Sequence, residues 1–250
     1  MVAFNLVFSP ICLRTPNPRK LFEKGLHMIG QLSWKEWVLL TVIPIAVVMA
    51  SIFKLWPVDT VEALGFATGG ACVWLVVREH TLNFPIGLAN NVFFVVLFWN
   101  ARLYADVGLQ VVFFALGVFG WWNWCFGGKD KGELVVTKTN KTEWVIILFF
   151  VVLGVWGLRQ LLILVNGAAP FWDAMTTILS LVAQYLLCQK RYENWFFWIT
   201  VDLICVPLYI SRGLPLTAFL YGTFLILCLM GLWQWSRSLK QGRDVVCATA

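Results

Sequence analysis

Eight long apolar stretches constrain this chain more than any other feature of its sequence. Each is close to the roughly 20 residues that an α-helix needs to cross a bilayer, and continuous apolarity without alternation favours helices over a β-barrel. Only 13% of the 250 residues are charged and 60% are hydrophobic, whereas a soluble domain is nearer a quarter charged. The sequence therefore predicts an all-α integral membrane protein with eight transmembrane helices, at about residues 37–56, 61–79, 85–102, 107–126, 144–165, 172–190, 195–211 and 214–235.

The basic residues predict the orientation of these helices. If both termini are cytoplasmic, the inside segments carry fifteen Lys and Arg residues and the outside loops carry three, which is a strong positive-inside bias. Residues 1–36 are then a cytoplasmic N-terminal segment, in which 18–32 form an interfacial helix with its apolar side chains on one side. Residues 236–250 are a cytoplasmic tail.

Several functional classes are excluded by what the sequence lacks. The two His residues lie far apart and the seven Cys form no C-x-x-C pair, so we predict no metal, no other cofactor and reduced cysteines. The net charge of +6 comes from the loops and does not indicate a nucleic-acid partner. A membrane enzyme is disfavoured because no span contains His, paired acids or a glycine-rich phosphate loop. A structural or signalling bundle without a ligand is the other alternative.

The chain contains an internal repeat. A shift of 111 residues places 62–124 on 173–235 without a gap, and the Gly, Trp, Asn and acidic positions agree. Four spans separate each helix from its copy, so the copies are parallel and related by an axis along the membrane normal.

The predicted units are a first three-helix bundle at 61–126 and a second at 172–235. A linker helix at 144–165 joins them, and 37–56 is an extra transmembrane helix. Two such repeats facing each other are typical of transporters.

The duplicated bundle carries a tryptophan signature that points to one family. The run Gly120-Trp121-Trp122-Asn123-Trp124 and the pair Gln184-Tyr185 resemble sequences of the Pnu family of vitamin transporters, in the branch that carries nicotinamide riboside. The resemblance covers about residues 37–236. It implies a SWEET-like 3+1+3 fold, a homotrimer in the bacterial cytoplasmic (inner) membrane, and facilitated diffusion of the riboside, which cytoplasmic phosphorylation then traps. The alternative is transport of another uncharged or cationic vitamin or nucleoside, such as thiamine.

Polar side chains inside the spans are candidates for the substrate site, because they are costly in lipid unless they face a cavity or a partner. Asp173, Thr177, Ser180 and Gln184 share one face of the 172–190 helix. They line a cavity or form a hydrogen-bonded seam between helices. Both interpretations stay open.

A second group lies on spans 85–102 and 195–211. Asn91 and Asp202 occupy matching places of the repeat, with Trp198 and Tyr209 on the same face as Asp202. Asp202 is the only acid well inside a span. It meets a substrate cation or a ribose hydroxyl, or it forms an ion pair with Arg159.

The chemistry of nicotinamide riboside fits these residue types. Its pyridinium ring is a cation that favours aromatic faces, and its carboxamide and hydroxyls match Asn, Gln and Ser. The family signature assigns Trp121, Trp122 and Asn123 to the substrate, whereas we assign Trp124 to interfacial anchoring. Arg159 is the only basic residue well inside a span, so the sequence predicts no phosphate site. The predicted substrate-binding residues are Asn91, Gln110, Trp121, Trp122, Asn123, Thr177, Ser180, Gln184, Tyr185, Trp198, Asp202, Tyr209 and Tyr221.

Overall fold

The structure is a computed structural model that describes residues 33–53, 60–100, 102, 104–128, 132–165, 169–213 and 215–248. This part of the chain contains eight α-helices and no β-strand; the predicted interfacial helix at 18–32 lies outside it. The helices are α1 (Trp34–Ile52), α2 (Thr60–Val77), α3 (Asn83–Asn100), α4 (Tyr104–Phe126), α5 (Lys141–Leu164), α6 (Pro170–Cys188), α7 (Asn194–Ser211) and α8 (Pro215–Ala248).

Six of these helices, α1 and α4 to α8, are long and apolar enough to cross a membrane by length and composition. The apolar part of α2, Ala63–Val77, is shorter. Large apolar side chains cover the outside of the bundle, as on α5, where Leu148, Phe149 and Trp156 are exposed. Such a surface is stable in lipid and not in water. The protein is therefore an all-α, multi-pass membrane protein.

The last helix is longer than the sequence predicts. The predicted span ends at residue 235, but α8 continues to Ala248. No Pro or Gly interrupts residues 236–241, and Leu, Lys, Gln and Arg in this segment are good helix formers. The start of the predicted tail is thus a continuation of the helix.

Six helices form a closed ring in which each packs against the next, in the order α2, α3, α4, α6, α7, α8 and back to α2. The other two helices lie outside this ring, α1 against α2 and α5 against α6. Both outer helices begin with a capping box, Ser33 with Glu36 and Asn140 with Glu143. Outer helices and caps thus occupy corresponding places in the two halves of the chain.

The turns after α2 and α6 have the same local structure. Glu79 and Lys190, which are 111 residues apart, both adopt a left-handed conformation, with φ of 56° and 52°. Each turn is closed by a backbone hydrogen bond of 2.8 Å. The N–H of His80 donates to the Leu75 carbonyl oxygen, and the N–H of Arg191 donates to the Leu186 carbonyl oxygen. This is the hydrogen bond of a Schellman cap. The two turns lie at the same end of the ring, which we call the turn end.

Candidate functional site

A cavity of about 450 Å³ lies inside the ring of six helices. All six helices contribute residues to its wall, whereas no described residue of α1 or α5 does. This volume lies within the size range of small-molecule binding sites. The wall is largely apolar and aromatic, with a few amide, hydroxyl and carboxylate groups.

The two halves of the chain contribute equivalent positions to the cavity. Of its 24 described lining residues, twenty form ten pairs that are 111 residues apart in sequence. Only one pair, Phe113 and Phe224, is identical, so the positions repeat while the chemistry differs. The other nine pairs are Gly69/Ser180, Val73/Gln184, Val76/Leu187, Phe84/Trp195, Gly87/Trp198, Asn90/Val201, Asn91/Asp202, Gln110/Tyr221 and Gly117/Cys228.

Seven of the thirteen predicted site residues line this cavity. Ser180 and Gln184 on α6 are among them, so this part of the polar face borders a cavity and is not only a helix seam. The Gln184 amide has a weak intramolecular partner, since its Nε2 lies 3.9 Å from the Cys188 sulfur. The seven are Asn91, Gln110, Ser180, Gln184, Trp198, Asp202 and Tyr221.

Three of the other predicted residues belong to the tryptophan signature and lie outside the lining. Trp121 packs against the buried cluster at the turn end. The Trp122 ring contacts Phe126, with centroids 5.1 Å apart. The Asn123 side chain donates to the Cys188 carbonyl oxygen at 2.8 Å. This amide connects α4 to the end of α6, which gives it a structural role.

The remaining three also lie outside the lining. Tyr185 packs on the buried cluster of Ile147, Val182 and Leu186 on the α5 side of α6. Tyr209 stacks on the ring of Tyr221, which does line the cavity, with ring centroids 5.2 Å apart. Thr177 is half-buried on α6 and is not part of the wall.

Most of the aromatic residues in the wall were not among the predicted site residues. Phe84, Phe94, Phe113, Trp195 and Phe224 all line the cavity. The repeat carried a usable signal for four of them, because Phe84 matches Trp195 and Phe113 matches Phe224 at a shift of 111 residues. The predicted aromatic residues came from the tryptophan signature and from the faces of the polar side chains, so this signal was left unused.

A pair of buried tryptophans at the turn end bonds to two residues of the cavity wall, Leu187 and Val76. The indole N–H of Trp124 donates to the Leu187 carbonyl oxygen at 2.9 Å, and that of Trp235 donates to the Val76 carbonyl oxygen at 3.0 Å. Donors and acceptors are both 111 residues apart, so the two bonds are reciprocal between the halves. Trp124 is only 1% exposed. Its assignment to interfacial anchoring was therefore wrong, because a lipid-facing anchor is not buried in the protein.

An ion pair lies next to these tryptophans. Lys190 Nζ is 2.9 Å from Glu79 Oε2, donates to the Leu134 carbonyl oxygen at 2.9 Å, and lies 4.7 Å from the centre of the Trp124 ring. Glu79 and Lys190 occupy equivalent positions of the two halves. The reciprocal tryptophan hydrogen bonds and this ion pair thus join the halves at the turn end, in addition to the Asn123 bond.

Asp202 dominates the electrostatics of the cavity. Among the described residues it is the only carboxylate in the wall, and no Lys, Arg or His of that part of the chain lines it. Asp202 is 4% exposed, and its Oδ2 has no hydrogen-bond partner within the described part of the chain.

The ion pairs of the described residues do not include Asp202 with Arg159. The predicted alternative of an Asp202–Arg159 pair is therefore wrong, whereas Asp173 pairs with Arg212.

Comparisons with known proteins match most of the chain. The profile of the nicotinamide mononucleotide transporter family matches residues 59–237. The nicotinamide riboside transporter PnuC of Escherichia coli (strain K12) is 28% identical over 207 residues, which cover 72% of this chain and 87% of that protein. The riboflavin/roseoflavin transporter RibM of Streptomyces davaonensis is 26% identical over 191 residues, covering 74% and 89%.

The fold is also similar to that of a solved structure. The crystal structure of the vitamin B3 transporter PnuC matches 85% of this chain and 94% of its own, with a TM-score of 0.63 and 23% identity. At that identity the match establishes the fold alone.

Proposed function

Because the chain belongs to the nicotinamide mononucleotide transporter family, we propose that it carries nicotinamide riboside across a membrane. The protein is a membrane transporter and not an enzyme. The observation that carries the choice of substrate is a cavity with aromatic walls, one carboxylate without an ion-pair partner, and no basic side chain among its described lining residues. A pyridinium ring gains from aromatic faces, by up to about 2 kcal/mol when desolvated. Amides such as Gln110 and Gln184 match the carboxamide and the ribose hydroxyls.

The same wall argues against the phosphorylated substrate in the family's name. A phosphate group needs charge-assisted donors, usually Arg or Lys, and here it would face Asp202 in a cavity whose described lining has none. We expect nicotinamide mononucleotide to bind at least about tenfold more weakly than the riboside, or ~1.4 kcal/mol. Calorimetry with the two ligands on the purified protein measures this difference. Equal affinities would contradict the proposed substrate.

Two other vitamins are the alternatives. RibM, named as a riboflavin/roseoflavin transporter, is nearly as similar to the chain as PnuC, and thiamine is a cation of comparable size. Uptake of labelled riboside into proteoliposomes, competed with unlabelled thiamine, riboflavin and nicotinamide, separates them. We expect the unlabelled riboside to compete best.

The proposed architecture extends the described helices to a complete topology. We assign eight transmembrane helices with both termini in the cytoplasm of a bacterial inner membrane, so that the turn end faces the cytoplasm. Helices α2–α4 and α6–α8 form a SWEET-like parallel repeat joined by α5, with α1 additional. The ten equivalent pairs in the wall and the reciprocal tryptophan bonds support this repeat. A homotrimer is implied by the family resemblance.

Transport is proposed to be passive, with cytoplasmic phosphorylation trapping the riboside. Asp202 is the only carboxylate that the described residues contribute to the cavity wall, and one group does not make a proton relay through the membrane. Riboside uptake in vesicles is expected to be insensitive to proton and sodium gradients. Accumulation above the outside concentration, driven by either gradient without a kinase, would contradict passive transport.

The polar face of α6 gives a further prediction about affinity. Gln184→Ala is expected to weaken riboside binding about fivefold, because the amide offers two donors and an acceptor and has only a weak partner in the protein. Ser180→Ala is expected to change binding less than twofold, since a helical Ser hydroxyl can bond to a carbonyl of its own helix. Calorimetry on the two purified variants tests this order. Equal affinities would remove Gln184 from the proposed contacts.

A further inference from the structure

Asp202 is placed where a charge has no protein partner. Its side chain lies in the middle of α7 and faces the cavity, and the thiol of Cys228 on α8 is its neighbouring hydrogen-bond donor. The second carboxylate oxygen, Oδ2, is buried and has no partner within the described residues. A buried charged group without a counter-charge is strongly unfavourable. Ionisable groups inside membrane-spanning segments commonly mark substrate or ion pathways.

The equivalent position in the first half makes the role of this charge specific. Asn91 on α3 is 111 residues before Asp202 and also lines the cavity. Asn and Asp have nearly the same shape and differ in charge. The cavity therefore has similar polar groups on two equivalent walls, but a negative charge only on the wall of the second half.

We infer that Asp202 is the counter-ion that makes this cavity select a substrate by the positive charge of its ring. This inference rests on the proposed function and deepens it, since it assigns one residue to one property of the substrate. With the cation bound, the carboxylate gains an attractive partner in a wall of low polarity, where electrostatic interactions are strong. With an uncharged ring of the same shape, the carboxylate stays buried without a counter-charge.

Benzamide riboside separates charge from shape. In this compound a carbon replaces the ring nitrogen of nicotinamide riboside, so the ring is uncharged while the carboxamide and the ribose are kept. The full-length wild-type chain is expected to bind nicotinamide riboside at least tenfold more tightly than benzamide riboside in calorimetry. Asp202→Asn is expected to lose about tenfold in affinity for the cation and less than twofold for the uncharged compound. Binding of benzamide riboside by the variant also reports that it is folded.

Asn91→Ala is the matched control, because it changes the equivalent wall without changing charge. It is expected to alter both affinities by the same factor and to keep their ratio. Two results would overturn the inference. In the first, Asp202→Asn loses affinity for both ribosides by the same factor. In the second, Asn91→Ala lowers the ratio of the two affinities as much as Asp202→Asn does. Either would give Asp202 a hydrogen-bonding or packing role only.

Binding of thiamine, measured in the same way, distinguishes failure of this inference from failure of the proposed function. If the wild type binds thiamine and neither riboside, the proposed substrate is wrong. The counter-ion role is then tested by whether Asp202→Asn loses thiamine affinity about tenfold while Asn91→Ala does not. A wild-type chain that binds none of the three compounds overturns both proposals.

Discussion

Replacing Lys190 with glutamate is expected to lower the melting temperature of the purified protein by roughly 6–12 °C. Lys190 is 8% exposed and pairs with Glu79 at 2.9 Å. The substitution puts two carboxylates in contact and leaves the Leu134 carbonyl oxygen without its donor. Breaking a buried ion pair costs about 3–5 kcal/mol; we take the lower figure because both side chains retain some exposure. At about 2–4 °C per kcal/mol for a chain of this size, that gives the expected range.

The repeat supplies the control for this variant. Glu79 and Lys190 adopt the same left-handed conformation in equivalent turns, so the exchange Glu79→Lys with Lys190→Glu re-forms the ion pair in reverse. The double variant is expected to recover more than half of the lost melting temperature. Full recovery is not expected, because Lys190 also donates to the Leu134 carbonyl oxygen, and the double variant has no lysine at position 190 to replace this bond. A double variant as unstable as Lys190→Glu alone would mean that the ion pair does not join the halves.

The repeat was the sequence feature that predicted the site best. A shift of 111 residues, found from Gly, Trp, Asn and acidic positions, also relates ten pairs of cavity-lining residues. Helix periodicity fixes which residues share a face, and duplication places the same faces around one cavity. Asn91 with Asp202 and Gln110 with Tyr221 were predicted in this way, and both pairs line the wall.

The tryptophan signature was harder to interpret from sequence. Consecutive helical residues point about 100° apart, so a run of four aromatic and amide residues cannot all face one cavity. Trp124 forms the reciprocal pair with Trp235, and Asn123 connects α4 to α6. Which member of the run faces which neighbour depends on how α4 is rotated against α6 and α8. That rotation is set by packing and not by the run itself.

The partner of Asp202 was undetermined for a similar reason. Sequence placed Asp202 and Arg159 on different spans, and opposite charges within a membrane usually pair. In the structure Asp202 faces the cavity inside the ring, whereas α5, which carries Arg159, packs outside the ring, and no ion pair joins the two residues. The order of helices around a bundle follows from packing that no single helix encodes.

Gly231→Ala is expected to weaken riboside binding about thirtyfold. A Cβ at Gly231 would overlap the ring of Trp195, with Cε2 at 2.6 Å, and Trp195 lines the cavity. Trp235 packs edge to face against the same ring, with centroids 5.5 Å apart, so we expect the added methyl group to displace the ring toward the cavity. Overpacking of this kind costs about 1–3 kcal/mol. If the ring must be pushed back when the ligand binds, about 2 kcal/mol appears as a loss of roughly thirtyfold in affinity.

Two further glycines make this a matched experiment. Gly222 lies on the same helix, and a Cβ there would meet no neighbouring atom within 4 Å. Gly222→Ala is therefore expected to keep the affinity and to add up to about 1 kcal/mol of stability from helix propensity.

Gly120 is the equivalent of Gly231 in the first half, and its Cβ would lie 2.6 Å from the ring of Phe84. Gly120→Ala is therefore expected to lower affinity as well, through the opposite wall. Calorimetry on the three variants gives the order, and equal affinities for Gly231→Ala and Gly222→Ala would show that the position of Trp195 does not shape the site.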